Sequence, residues 1–163
     1  MSKVAEFSPD HHEQIRRRSP LALDECGLSL VSEVVGDRWT LLILREALYG
    51  VQRFEDIVAD LGASRSVLTQ RLNTMVEQGI LKKVPYREDG SRTRFAYRLT
   101  EVGLDLALPL FVLADWGNRH LLKTDEPPVW MQDRETGERL GLAFIDQDGR
   151  RVPADRVKLM MRT

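Results

Sequence analysis

The chain has 163 residues, 42% hydrophobic and 30% charged, and a net charge of −1 from 24 Lys+Arg against 25 Asp+Glu. These values suit one domain with an appendage and exclude a wholly disordered or fibrous chain. No apolar run reaches 18 residues, which argues against a membrane span, and one cysteine (Cys26) excludes an intramolecular disulfide or a cysteine-built zinc cluster.

Residues 1–22 read as a flexible leader with a basic knot, Arg16-Arg17-Arg18. It lacks a basic stretch followed by an apolar core, so a cytoplasmic protein with no membrane partner is expected. His11-His12 has no further ligand at a useful spacing and reads as solvent-exposed. Residues 28–35 (LSLVSEVV) carry a broad helical stripe, and Gly36-Asp37 punctuates the chain. Residues 39–48 (WTLLILREAL) predict a second helix, apolar nearly all round its first two turns and therefore central in the core. Residues 53–61 predict a third, with Phe54, Ile57, Val58 and Leu61 on one face and Gly62 at its end. Ser64 is the expected N-cap of a fourth, running to about Gln78, whose core side is Leu68, Leu72, Met75 and Val76.

The period then changes. Residues 80–86 and 93–99 read as strands around an Asp89-Gly90 turn, with Phe95, Tyr97 and Leu99 alternating with Arg94, Ala96 and Arg98. Thr100 caps a fifth helix, 101–122, which is apolar on more than one face. One face covers its own core. The other is assigned to a second subunit, with Leu106, Leu110, Leu113 and Trp116 as dimerisation residues. Pro109 bends or divides this helix, because it removes a backbone donor. Residues 123–163 form a separate small β-hairpin unit, with Gly137 and Gly149 in turns that flank LGLAFI (140–145). A piece this short does not hold an independent core.

Net charge hides a segregation. Residues 62–98 carry eight basic and three acidic side chains, whereas 26–61 carry three basic and six acidic. A positive field over one part of a nearly neutral molecule attracts phosphate, although a solvated charged surface would show the same count. Three helices followed by two basic strands is the element order of a winged helix-turn-helix, with 53–61 and 64–78 as the pair. At 100° per residue, Ser66, Gln70 and Asn73 lie opposite the Leu68–Leu72–Met75 stripe, flanked by Ser64, Arg65, Thr69 and Arg71. These side chains reach base edges or phosphates, Asn and Gln favouring adenine and Arg guanine. Arg87, Arg92 and Arg94 at the hairpin tip suit phosphate contact or a narrow minor groove.

The run CGLSLVSEVVGDRWTLLIL (26–44), then RFEDI (53–57), SRSVLTQRL (64–72), EQGILKK (77–83) and Y-x-L-T-x-x-G (97–103), resembles the HxlR-type (DUF24) bacterial transcription regulators, part of the broader MarR-like winged-helix group. The resemblance implies a homodimeric winged-helix DNA-binding protein, with the first and last helices of the domain building the dimer. It also matches Cys26 to a cysteine that some members use as a thiol sensor. A helix start beside Cys26 favours thiolate, and Asp24 and Glu25 oppose it, so a sensor and a structural, half-buried cysteine both stay open. The layout 132–137 and 145–149 looks like the two knuckles of a zinc ribbon with Asp, Glu, Thr or Gln where cysteines are expected, hence a hairpin without metal.

The expected fold is therefore α+β, mainly helical. It comprises a leader (1–22), a winged helix-turn-helix with a long dimerisation helix (23–122) and an appended hairpin unit (123–163). The expected function is a transcription regulator that binds a pseudo-palindromic operator in double-stranded DNA as a homodimer, modulated by a small-molecule effector or by thiol modification. The rival is a winged-helix module that binds protein; salt-dependent duplex binding separates the two. No cofactor or metal is expected. No paired carboxylates in a Gly-framed pocket, nucleophile elbow or phosphate loop is present, so catalysis is not expected.

Overall fold

The computed structural model describes residues 22–88, 92–123 and 126–157, which fall into two compact units that divide near residue 123. The expected leader and the Asp89-Gly90 turn lie outside the described residues.

The first unit opens with a 3-10 turn, Leu23–Glu25, and then α1, Gly27–Val35. Helix α2 is Arg38–Leu48. Its N-cap is Asp37, whose carboxylate accepts from the backbone N–H of Trp39 (3.0 Å) and Thr40 (3.2 Å), satisfying two donors that a helix start leaves free. Helix α2 packs against α1 and four later elements of this unit, as its apolar sequence requires. It also holds a surprise: Glu46 is fully buried. The Arg45 guanidinium lies beside Glu46 Oε1 without being aligned for a hydrogen bond, and that oxygen has no other partner among the described residues.

Helix α3 is Phe54–Leu61 and ends on Gly62, whose φ of 61° places it in the left-handed region where glycine carries no Cβ penalty. The chain reverses there and Ser64 caps α4, Arg65–Glu77, accepting from the Val67 N–H. Leu68, Leu72 and Met75 of α4 are fully buried with Ile43, Leu44, Ile57, Ile80 and Leu81. Each such side chain contributes roughly 1.5–3 kcal/mol of burial.

Strands β1, Leu81–Tyr86, and β2, Arg94–Leu99, pair antiparallel with Leu81 opposite Leu99 and Tyr86 opposite Arg94. The expected alternation along β2 does not hold. Ala96 and Tyr97 are both buried and Phe95 is 49% exposed. The reason is a third strand segment: Arg53 bridges Ala96, and the Tyr97 N–H donates to the Gln52 carbonyl at 2.8 Å. The outer edge of β2 is thereby covered.

The expected helix 101–122 is divided. Helix α5 is Glu101–Asp105, α6 is Ala107–Gly117, and a π-helical turn, Asn118–Leu122, follows. The division falls at Leu106 because Pro109 cannot donate to the carbonyl of residue 105 and its ring crowds that position. Thr100 caps α5, accepting from the Gly103 N–H (3.1 Å) while its hydroxyl donates to the Gly79 carbonyl (2.6 Å). Gly103 is buried against the Ile80 carbonyl, with no room for a Cβ. Leu106 and Leu110 pack on the core, while Leu108, Val112, Leu113 and Trp116 are exposed.

The second unit contains two successive short hairpins rather than one. Gln132 bridges Arg139, and the Asp133 carboxylate accepts from the N–H groups of Glu135 (2.8 Å) and Thr136 (2.7 Å). Strands β3, Phe144–Ile145, and β4, Arg151–Val152, form the second hairpin, where the Asp146 carboxylate accepts from Asp148 (3.0 Å) and Arg150 (2.9 Å). Of LGLAFI, only Phe144–Ile145 form a paired strand. In both turns an aspartate oxygen gathers two backbone amides. Backbone donation from Thr136, then Glu135, holds the Asp133 carboxyl below its ordinary value.

Candidate nucleic-acid interface

Helix α4 presents one core stripe and one polar face, and the polar face is uneven along its length. At its start Ser64, Arg65 and Ser66 are exposed. The Ser64 and Ser66 hydroxyls lie 3.2 Å apart. Arg65 forms a two-pronged pair with Glu55 of α3, at 2.6 and 2.7 Å, and its guanidinium lies 4.9 Å over the Phe54 ring. This fork fixes the Arg65 head across the turn. The hydrogen bonds from Arg65 hold the Glu55 carboxyl below its ordinary value, and Glu55 in turn raises Arg65.

Thr69 and Gln70, one turn further, are exposed, and their side chains have no partner among the described residues. Asn73 is half-buried, and its Oδ1 accepts from Lys83 Nζ of β1 at 2.9 Å. Asn73 is thus tied to the sheet, with its NH2 group left to donate. Arg71 turns toward α2: its Nε lies 3.2 Å from the same Asp37 oxygen that caps that helix. The structure leaves Ser66, Thr69 and Gln70 on the open face of α4, while Asn73, which the angular reading put on that face, and Arg71 serve contacts within the unit.

The sheet brings up the remaining cations. Arg92 and Arg94 are exposed, with no hydrogen bond or ion pair among the described residues, and Arg87 is exposed just past β1. Arg94 is near enough to Glu55 to lower its carboxyl further, so the hairpin and the start of α4 share one electrostatic neighbourhood. Four participants were missed at the sequence level: Glu55, Lys83, Arg53 and Glu88. Arg53 pairs with Glu88 at 2.8 Å and lies 4.8 Å over the Tyr86 ring. The one available signal was opposite charge bracketing the Gly62 turn, at positions 55 and 65.

Cys26 is half-buried and stands at the N-cap of α1, directly after the Asp24–Glu25 turn. Its side chain makes no capping hydrogen bond. Among the described residues no three His, Cys, Asp or Glu side chains gather into a metal-ligand set, and no helix is long and apolar enough to cross a membrane.

The model of the HxlR-like helix-turn-helix family matches residues 34–125, which takes in α2 through α6. The chain belongs to the HxlR-like family. The HTH-type transcriptional regulator Rv3095 of Mycobacterium tuberculosis is 45% identical over 106 residues, 65% of this chain and 66% of that protein. The match thus spans just under two thirds of the relative's length. Among solved structures, PA1607, a candidate transcription factor, has a TM-score of 0.70 at 31% identity, over 84% of this chain and 95% of its own. PA1374 from Pseudomonas aeruginosa, also a candidate transcription factor, has a TM-score of 0.57 at 32% identity, over 84% and 92%. Both matches take in more of the chain than the winged unit alone. The fold of this HxlR-like chain is a winged helix, and its relatives are transcription regulators rather than enzymes.

Proposed function

We propose that this HxlR-like protein is a transcription regulator that reads a pseudo-palindromic operator as a homodimer in the cytoplasm. Residues 23–122 form the DNA-binding and dimerisation domain, and 123–163 form an accessory unit. The observation that carries the reading is the open Ser66–Thr69–Gln70 face of α4, where Thr69 and Gln70 have no side-chain partner among the described residues, set beside Arg65 and the arginines of the hairpin. Such a face enters the major groove N-terminus first, with Gln70 able to pair both edges of adenine. Arg92 and Arg94 track phosphates. Arg65 is positioned by Glu55 and Phe54 and reaches a guanine edge or the adjacent phosphate.

The homodimer is supported by the chemistry of α1 and α6. Neither helix buries any residue fully within its own unit, and Leu28, Leu30, Leu108, Val112, Leu113 and Trp116 are all about half exposed or more. Leu106, just before α6, and Leu110 within it pack on the core, so the interface rests on Leu113 and Trp116. Cys26 stands at the start of α1, so modification of its thiol would act at the edge of that same interface.

Selection of bound fragments from genomic DNA with the purified protein tests the reading. Enrichment of an inverted repeat, with half-sites about one helical turn apart and affinity that falls steeply with salt, is the expected result. Equal binding of all duplexes, or none, would favour the protein-interaction module instead.

A further inference from the structure

A cavity of about 520 Å³ opens where the turn after α2, helix α3 and the two-stranded hairpin meet. None of the α4 residues of the proposed reading face lines it. Its lining residues include Tyr49, Gln52, Asp56, Asp60, Tyr86 and Arg98, of which Tyr49, Asp56 and Asp60 are exposed to solvent.

The charges of this lining are unequally satisfied. Arg53, also in the lining, is paired with Glu88 and lies over the Tyr86 ring. The Arg98 Nε donates to Gln52 Oε1 at 2.9 Å, so its head is held against the wall. Asp56 and Asp60 have neither a hydrogen bond nor an ion pair among the described residues. They are four apart on α3, which puts them on one face about 5–6 Å from each other. With the Arg53–Glu88 pair cancelled, two free carboxylates oppose one guanidinium. Both tyrosines already take a cation on a ring: Arg45 lies 5.7 Å over Tyr49, and Arg53 lies 4.8 Å over Tyr86. Aromatic side chains and unpaired carboxylates lining one cavity are surroundings that can hold an organic ammonium, because its apolar body replaces water at the rings while its charge meets the acids.

We infer that this cavity binds a small organic cation, an aromatic or alkyl ammonium or phosphonium of one positive charge. Its consequence for regulation rests on the DNA-binding reading above. The occupant touches α3 on one side and Tyr86 and Arg98 of the hairpin on the other, so it sets the angle between the reading pair and the wing. A ligand that favours one such angle changes duplex affinity by its differential affinity for the two arrangements.

Calorimetry on the full chain without DNA tests the site, with benzyltrimethylammonium and tetraphenylphosphonium as cations and benzoate as the anion. Saturable binding of at least one cation and none of benzoate is expected. The D56N/D60N double variant should weaken the cation about tenfold or more, the effect of losing one well-placed charge contact. D60N alone, at the exposed end of α3, should weaken it less and guards against misfolding of the pair, as does an unchanged circular dichroism melt. No cation binding by the parent protein overturns the inference, as does cation binding that both variants retain in full. Benzoate binding that Arg98→Gln abolishes also overturns it and assigns the cavity to an anion. In a second arm, saturating cation should shift the duplex Kd severalfold. Absence of any duplex binding would sink the DNA-binding reading and leave the calorimetric result standing.

Discussion

Helices α4 and α6 lie in the same unit and have similar lengths, yet they face outward with opposite chemistry. Helix α4 buries Leu68, Leu72 and Met75 completely and shows solvent Ser66, Thr69 and Gln70. Helix α6 buries no residue completely and shows solvent Leu108, Val112, Leu113 and Trp116. The first pattern is a finished core stripe with a polar reading face. The second leaves an apolar face exposed, the face assigned above to the proposed dimer. Four side chains at about half exposure hold roughly 1 kcal/mol each of burial. Two copies of α6 thus offer about 8 kcal/mol against an association cost of roughly 4–15 kcal/mol, so α6 alone leaves little surplus for a dimer. Leu28 and Leu30 of α1, exposed at 77% and 49%, supply the further area the proposed interface needs.

The sharpest way to break this contrast is to make α6 polar outside as α4 is. Leu113→Lys with Trp116→Ala should give a monomer by sedimentation velocity that stays folded by circular dichroism, with a melting temperature lowered only by loss of the association. Operator affinity should fall by about 10²-fold or more, because the second half-site is no longer tethered. Leu110→Ala should do the reverse, lowering stability by about 2 kcal/mol while assembly persists, since Leu110 packs on the core. A stable monomer of the parent protein at concentrations that saturate the operator would dismiss the proposed role of α6.

On α4 the expected effects are smaller and divide by position. Gln70→Ala should cost roughly 1–3 kcal/mol on the operator and little on random duplex, as direct base readout predicts. Asn73→Ala should cost less, because its oxygen already accepts from Lys83. Arg92→Ala and Arg94→Ala should weaken every duplex alike and reduce the salt slope by about one unit per lost phosphate contact. Equal loss on operator and random DNA for Gln70→Ala would place the reading face elsewhere.

Most of the winged unit could be read because its elements announce themselves locally. Ser64 and Gly62 fix the helix-turn-helix by capping chemistry, and the Leu68–Leu72–Met75 spacing fixes which way α4 turns. What stayed hidden is set by tertiary angles. The Gln52–Arg53 segment is too short to alternate, so neither its pairing with β2 nor the burial of Ala96 could be foreseen. The Arg65–Glu55 fork spans ten residues across a turn, and only the crossing of α3 and α4 brings it together. Glu46 broke the rule that a central helix is apolar on every covered side. At Pro109 the cause of the break was legible and its place was not: the steric conflict acts one turn upstream, so the helix parts at Leu106.

The smallest expected effect probes how Arg65 is held before DNA arrives. Glu55 and Arg65 are exposed, so the fork adds little to stability under solvent screening, and its value lies in positioning. Because the folded Glu55 carboxyl lies below its ordinary value of 4.5, the fork is fully present above that value. It is lost as pH falls through the lower, folded value. Carboxyl NMR of the DNA-free protein should therefore show Glu55 titrating at a lower pH than a free glutamate, with Arg65→Ala returning it toward 4.5. The motion of the Arg65 head should rise over the same pH interval. Glu55→Gln should keep Arg65 near Phe54 but loosen it, raising affinity for random duplex slightly and steepening the salt slope, because one negative charge has left the interface. If Glu55 titrates as a free glutamate in the parent protein, the fork is not formed in solution. Arg65 would then meet DNA as an unpositioned cation like Arg92 and Arg94, and the difference between the start of α4 and the wing would disappear.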